Sequence, residues 1–173
     1  MTQRSGAADS PAGLPTALSA FASGVTLVTV ADGRDDVGVT VSAFCPVSLE
    51  PALIMVSLIG DSDPADLLGR IDRFAVTVLS AGQRALAGRF AASGRPGARL
   101  LLDDVPHRRG VHSGALIPNA GLAAMECEVS QRVPAGDHLL VIARVLLVVN
   151  ESESGDPLVR FRGRYLALAR PGA

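Results

Sequence analysis

Two long apolar runs joined by a short turn, Leu122–Val133 and His138–Val149, constrain this chain more than any other feature. In the first run Met125, Cys127 and Val129 alternate with Glu126, Glu128 and Ser130. That period of two is the pattern of a strand with one buried and one wet face. Pro134-Ala135-Gly136-Asp137 between the runs is turn chemistry, so the pair reads as a long antiparallel hairpin.

Further strands surround it. Val25–Val30 is β-branched and apolar, Asp32-Gly33-Arg34-Asp35-Asp36 is a turn, and Val37–Phe44 is the return strand. Gly24 and Gly38 mark bends or close backbone approach. Leu53–Ile59 is apolar on both faces and reads as a central strand, Phe74–Leu79 as a fourth. Leu158–Leu168 is the last, interrupted by Arg162-Gly163.

Two helices interrupt the strands. Ser62 or Asp63 caps the first, Pro64 takes its first position, and Leu67, Leu68 and Ile71 form its apolar side. Ser80-Ala81-Gly82-Gln83 matches a capping box that opens the second, which runs to about Ala92 with Leu86 and Phe90 as core contacts. Ser93–Asn119 reads as a long loop rich in Gly, Pro and Arg. Its Arg95, Arg99, Arg108 and Arg109 make either a solvated loop or part of an anion site. Six or seven strands without a βαβ rhythm close most cheaply as a barrel.

The 173 residues fit one domain, with residues 1–15 as a flexible tail and 16–170 as the folded unit. Aromatics are 3% and Trp is absent, so the core is aliphatic. A net charge of −1 gives no electrostatic case for nucleic acid or an anionic membrane. No apolar run approaches the ~18 residues of a membrane span, and Met1–Pro15 lacks the apolar stretch of a signal peptide. All 16 basic residues are arginine, which excludes a Schiff-base lysine. Cys45 and Cys127 lack metal-ligand spacing; they read as buried thiols of a cytoplasmic protein without a metal site, with a disulfide between them as the alternative.

The order of segments resembles a known family. Phe21-Ala22-Ser23-Gly24-Val25-Thr26-Leu27-Val28-Thr29 resembles the opening motif of the flavin reductases that supply reduced flavin to two-component monooxygenases. Gly38-Val39-Thr40-Val41-Ser42-Ala43-Phe44 with Val47-Ser48-Leu49-Glu50-Pro51 resembles their second motif, and Phe74–Leu79 a third. Glu126-Cys127, Gly136-Asp137-His138 and Arg162-Gly163-Arg164-Tyr165 resemble the late ones, so the likeness spans about Leu18–Leu168.

The resemblance implies an all-β fold with minor α: an antiparallel Greek-key split β-barrel with two short inserted helices. It implies a cytoplasmic homodimer passing hydride from NADH or NADPH to FMN or FAD. The reduced flavin then reaches a partner monooxygenase by diffusion. In this likeness Thr40, Val41, Ser42 and Ala43 lie along the flavin, Leu58, Ser62 and Asp63 belong to a loop that covers it, and Phe90 and Ala91 stand near its tail. His138 matches the family histidine associated with the nicotinamide, and Arg164 and Tyr165 frame the nicotinamide site. Hydride transfer needs the two rings aligned at about 3–3.5 Å, and the cofactors carry the electronics.

Three positions depart from the pattern: Ala43 replaces a serine, Gly60-Asp61 stand where a basic residue is common, and Pro64 replaces another serine. Phosphate binding then falls to Arg89, Arg95, Arg99 or a helix N-terminus. Two alternatives stay open on the sequence alone. One is a barrel repurposed for other small-molecule chemistry in a biosynthetic pathway. The other is a non-enzymatic binding protein, such as a haem binder or an assembly subunit.

Overall fold

The structure is a computed structural model and describes residues 11–151 and 155–168. The strands are β1 Ser23–Gly24, β2 Thr26–Val30, β3 Val37–Val41, β4 Phe44–Leu49, β5 Ala52–Ile59, β6 Arg73–Val78, β7 His107–Arg109, β8 Leu116–Pro118, β9 Ala123–Ala135, β10 His138–Glu151, β11 Leu158–Phe161 and β12 Arg164–Ala167. The helices are α1 Leu14–Ser19, α2 Asp63–Leu68, α3 Arg84–Ala91 and α4 Ala98–Leu101, with a 3-10 turn at Ala81–Gln83.

The alternating hairpin is realised as β9 and β10, paired antiparallel with three register shifts. It is the middle of a seven-stranded sheet ordered β3-β2-β6-β9-β10-β5-β4. The sheet's two edge strands follow one another in the chain, joined only by Ser42 and Ala43. The sheet must therefore curl until its edges meet. The Ser57 amide donates to the Ala43 carbonyl at 3.0 Å, which carries the β4–β5 ladder into that link, while the barrel stays split between β3 and β4. Val28, Val30, Val56, Phe74, Val76 and Val141 fill the interior, and α2 caps it with Leu67 and Leu68. Each fully buried aliphatic side chain contributes about 1.5–3 kcal/mol. A second core cluster packs α3 and α4 on the outside of β2, and it holds Phe90, Leu86, Ala98 and Leu102. Gly38 is required there, because a Cβ would collide with the Phe90 ring. Gly24 has no such constraint; nothing lies within 4 Å of a Cβ built on it.

Several expectations change. The strand starting at Val37 stops at Val41, and Phe44 opens a separate strand at the sheet edge. Leu53–Ile59 is therefore next to the edge, with Leu53, Met55 and Ser57 only half-buried. The supposed loop Ser93–Asn119 contains α4 and the β7–β8 hairpin, elements too short to carry a period. Four short helices are present among the described residues, not two, and Leu14 and Pro15 belong to α1, not to the tail. Residues 1–10 lie outside the described residues. Cys45 is exposed on the edge strand, whereas Cys127 is buried, and burial with the Glu126 charge pushes its thiol up to about 12.

Two buried carboxylates hold the irregular segment. Asp36, fully buried at φ 54°, accepts from Arg99 at 3.2 Å and Arg109 at 2.9 Å. Glu126, expected on the wet face, is fully buried too. It accepts from the amides of Val111 (3.0 Å), His112 (2.8 Å) and Ser113 (2.6 Å) and from the Ser113 hydroxyl (2.7 Å). Burial pushes its pKa up, but these donors outweigh that and hold the carboxyl below its ordinary value. Alternation failed at Glu126 because a carboxylate with four donors is tolerated inside.

Candidate functional site

The seam where the barrel closes opens into a cavity of about 370 Å³. One wall is Val39–Ala43, from β3 into the link to β4; the facing wall is Ser57–Ile59 at the end of β5, with Ser62 beyond. Ala91, Ala92, Ser93 and Arg95 enter from the end of α3, His138 from the start of β10, and Arg160 and Tyr165 from the β11–β12 hairpin.

The structure thus brings together Thr40, Val41, Ser42, Ala43, Leu58, Ser62, Ala91, His138 and Tyr165. Three sequence candidates do not line this cavity. Phe90 points to the core on the same helix face as Leu86. Asp63 is exposed on the first turn of α2, beside the Ser62 that does line the cavity. Arg164 is exposed because neighbouring strand residues face opposite ways, and Tyr165 takes the inner side.

Arg160 was missed. Arg162 and Gly163 both have positive φ, 47° and 74°, as a tight two-residue hairpin turn requires. That turn pairs Arg160 with Tyr165, and the guanidinium lies 5.5 Å from the ring centroid. Counting outward from Arg162-Gly163 was the available signal.

Polar groups in the cavity are unevenly committed. The Thr40 hydroxyl donates to Ala87 O at 2.7 Å, and the Ser62 hydroxyl to Ile59 O at 2.5 Å. Ser42, Ser57 and Ser93 make no side-chain hydrogen bond among the described residues. Arg95 donates Nε to Gly38 O at 2.7 Å and Nη1 to Ala92 O at 3.3 Å. Burial draws its pKa below the ordinary arginine value, against the opposing charge of Asp63. His138 Nδ1 lies 2.7 Å from the Asp137 carboxylate, and that hydrogen bond holds the Asp137 carboxyl below the usual range. An ionised Asp137 accepts from Nδ1–H, which leaves Nε2 to face a ligand.

A second, wider hollow of about 720 Å³ lies on the other side of His138. It is lined by Gly60, Asp61, Asp66, Arg70, Gly136 and Asp137 among others. No group of three or more metal-ligating side chains occurs among the described residues.

Residues 18–169 match the family described as flavin reductase like domain. The chain belongs to this family. An NADH-dependent FMN reductase of Streptomyces nodosus subsp. asukaensis is 36% identical over 90% of this chain and 83% of its own length. Among solved structures, the NADH:FAD oxidoreductase of Streptomyces globisporus C-1027, in complex with NAD and FAD fragments, superposes with a TM-score of 0.85. It is 29% identical, over 92% of this chain and 93% of that one. The flavin reductase component of a bacterial two-component tryptophan halogenase gives a TM-score of 0.84 at 33% identity, over 91% and 98% of the two chains. The split-barrel architecture is therefore shared. The cavity's donor set also fits a flavin: an apolar wall of Val39, Val41, Leu58 and Ile59 for the ring, uncommitted hydroxyls, and a cation for a phosphorylated tail.

Proposed function

We propose that this protein is an NADH-dependent flavin reductase that passes hydride to FMN or FAD and releases reduced flavin to a partner monooxygenase. The observation that carries this is one cavity at the barrel seam holding Thr40–Ala43, Leu58, His138 and Tyr165 together. The relatives' named activities support this reading over a repurposed barrel or a non-enzymatic binder. Bound flavin and nicotinamide would supply the hydride chemistry themselves. The chain's contribution is geometry. Val39, Val41 and Leu58 keep water from the reacting faces, Ser42 and Ser57 offer hydroxyls for orientation, and the β11–β12 hairpin closes one side with Tyr165. His138, oriented by Asp137, presents Nε2 to a nicotinamide carboxamide.

NADH oxidation by the purified protein should depend on added FMN or FAD. Lack of stimulation by both flavins overturns the reading. We place the protein in the cytoplasm; a free buried thiol at Cys127 and the need for cellular NADH support this, and no helix among the described residues could cross a membrane. We assign a homodimer, supported by the large apolar side chains one chain leaves exposed, such as Phe21, Leu49 and Ile59. Light scattering that gives a monomer mass would remove that assignment.

A further inference from the structure

Most arginines with a fixed place in this structure are neutralised by a carboxylate. Arg73 and Arg144 meet Glu128, Arg89 meets Asp104, Arg99 and Arg109 meet Asp36, and Arg132 meets Asp72. Arg95 differs. It is half-buried, and no carboxylate of the described residues lies within ion-pair distance of it. Its two hydrogen-bond partners among the described residues are neutral carbonyls, Gly38 O on β3 and Ala92 O after α3. These fix Nε and Nη1 and leave Nη2 without a partner in the described chain. Asp63 opposes this charge only from beyond ion-pair distance, and a half-buried cation held in one orientation without a paired carboxylate is stabilised when an anion joins it. The residue lines the cavity, beside the unpaired hydroxyl of Ser93. Gly60 and Asp61, after β5, line the second hollow instead.

We propose that Arg95, just beyond the end of α3, is the anchor for the phosphate of the flavin's ribityl tail. This rests on the flavin reductase reading and names a specificity residue within it. A guanidinium with a free edge pairs with phosphate through charge-assisted hydrogen bonds. The chain should therefore discriminate FMN from riboflavin, which has the same ring and chain without phosphate.

The test is fluorescence titration of wild type, Arg95→Met and Arg95→Lys with FMN and with riboflavin, alongside NADH oxidation by wild type. Wild type should bind FMN at least about tenfold more tightly than riboflavin. Arg95→Met should weaken FMN roughly ten- to a hundredfold and leave riboflavin within twofold, with Arg95→Lys between. Arg95→Lys keeps a donor for the Gly38 carbonyl and decides the matter if the Met variant does not fold. Equal wild-type affinity for the two flavins, a parallel loss of both in the variants, or no loss of either overturns the anchor. Wild type that turns over FMN yet ignores its phosphate sinks the anchor alone. Absence of any flavin-dependent NADH oxidation sinks the reductase reading, and the anchor with it.

Discussion

The two hollows that meet at His138 carry opposite charge. The seam cavity is lined by Arg95 and Arg160 and by no carboxylate. The wider groove is lined by Asp61, Asp66 and Asp137 against one cation, Arg70. Flavin phosphates and nicotinamide diphosphates are anionic, so the field favours the first hollow and disfavours the second. The contrast explains an apparent contradiction in the sequence. By the family likeness, Gly60-Asp61 stand where a basic residue was expected beside the phosphate, so Asp61 would bring the wrong charge. In space it belongs to the other groove, and the cavity draws its positive charge from residues far from it in sequence.

The largest expected effect removes the scaffold under both hollows. Glu126 lies on β9, whose far end reaches the acidic groove at Pro134. Glu126→Ala leaves four donors unpaired and should cost about 3–5 kcal/mol of stability by urea unfolding. Its native pKa is depressed, so its contribution is present above the ordinary glutamate range and lost as pH falls through the native value. Wild-type midpoints should thus fall more steeply than those of the variant between about pH 6 and about pH 3. Parallel curves would show that the buried carboxylate is not linked to folding.

Next in size is the residue shared by the hollows. His138→Ala should lower kcat/KM for NADH about tenfold, short of the hundredfold or more expected of a general acid. The FMN dissociation constant should stay within twofold in the same preparation. A larger shift in FMN binding than in NADH use would place His138 on the wrong partner. Smaller still, Arg160→Gln removes a cation from the cavity and from the Tyr165 face. It should raise KM for NADH about three- to fivefold. An unchanged KM would leave Arg95 as the cavity's working cation. The smallest effect tests the acidic side: Asp61→Asn should alter FMN affinity by less than about twofold. A gain of tenfold would mean that the two hollows share one field and the contrast between them is false.

The barrel strands were legible because β-branched alternation is local. Leu122–Val133, His138–Val149, Val25–Val30 and Phe74–Leu79 are each a strand, with ends shifted by no more than two residues. The segment Ser93–Asn119 was opaque, since its three-residue strands are stabilised by Asp36 and Glu126, which lie far away in sequence. Side-chain direction was the other limit. Arg164 was expected where Arg160 stands, and Phe90 beside Ala91, because a motif gives position in sequence but not which way a strand or helix turns. Arg95 stood among several arginines, and only its neutral partners and the absence of a carboxylate separate it from Arg89 and Arg99.

Pairing of β1 with β11 joins Ser23 to Arg160, almost opposite ends of the chain. Contacts so remote in sequence carry a large loop-closure cost and form late, after local hairpins such as β9–β10. The β11–β12 hairpin that brings Arg160 and Tyr165 to the cavity is therefore expected to dock after the local hairpins have formed. A chain still emerging during synthesis, or truncated before Leu158, would own most of the barrel and yet have an open-sided pocket. Enclosure of that side of the cavity thus depends on a contact between the two ends of the chain.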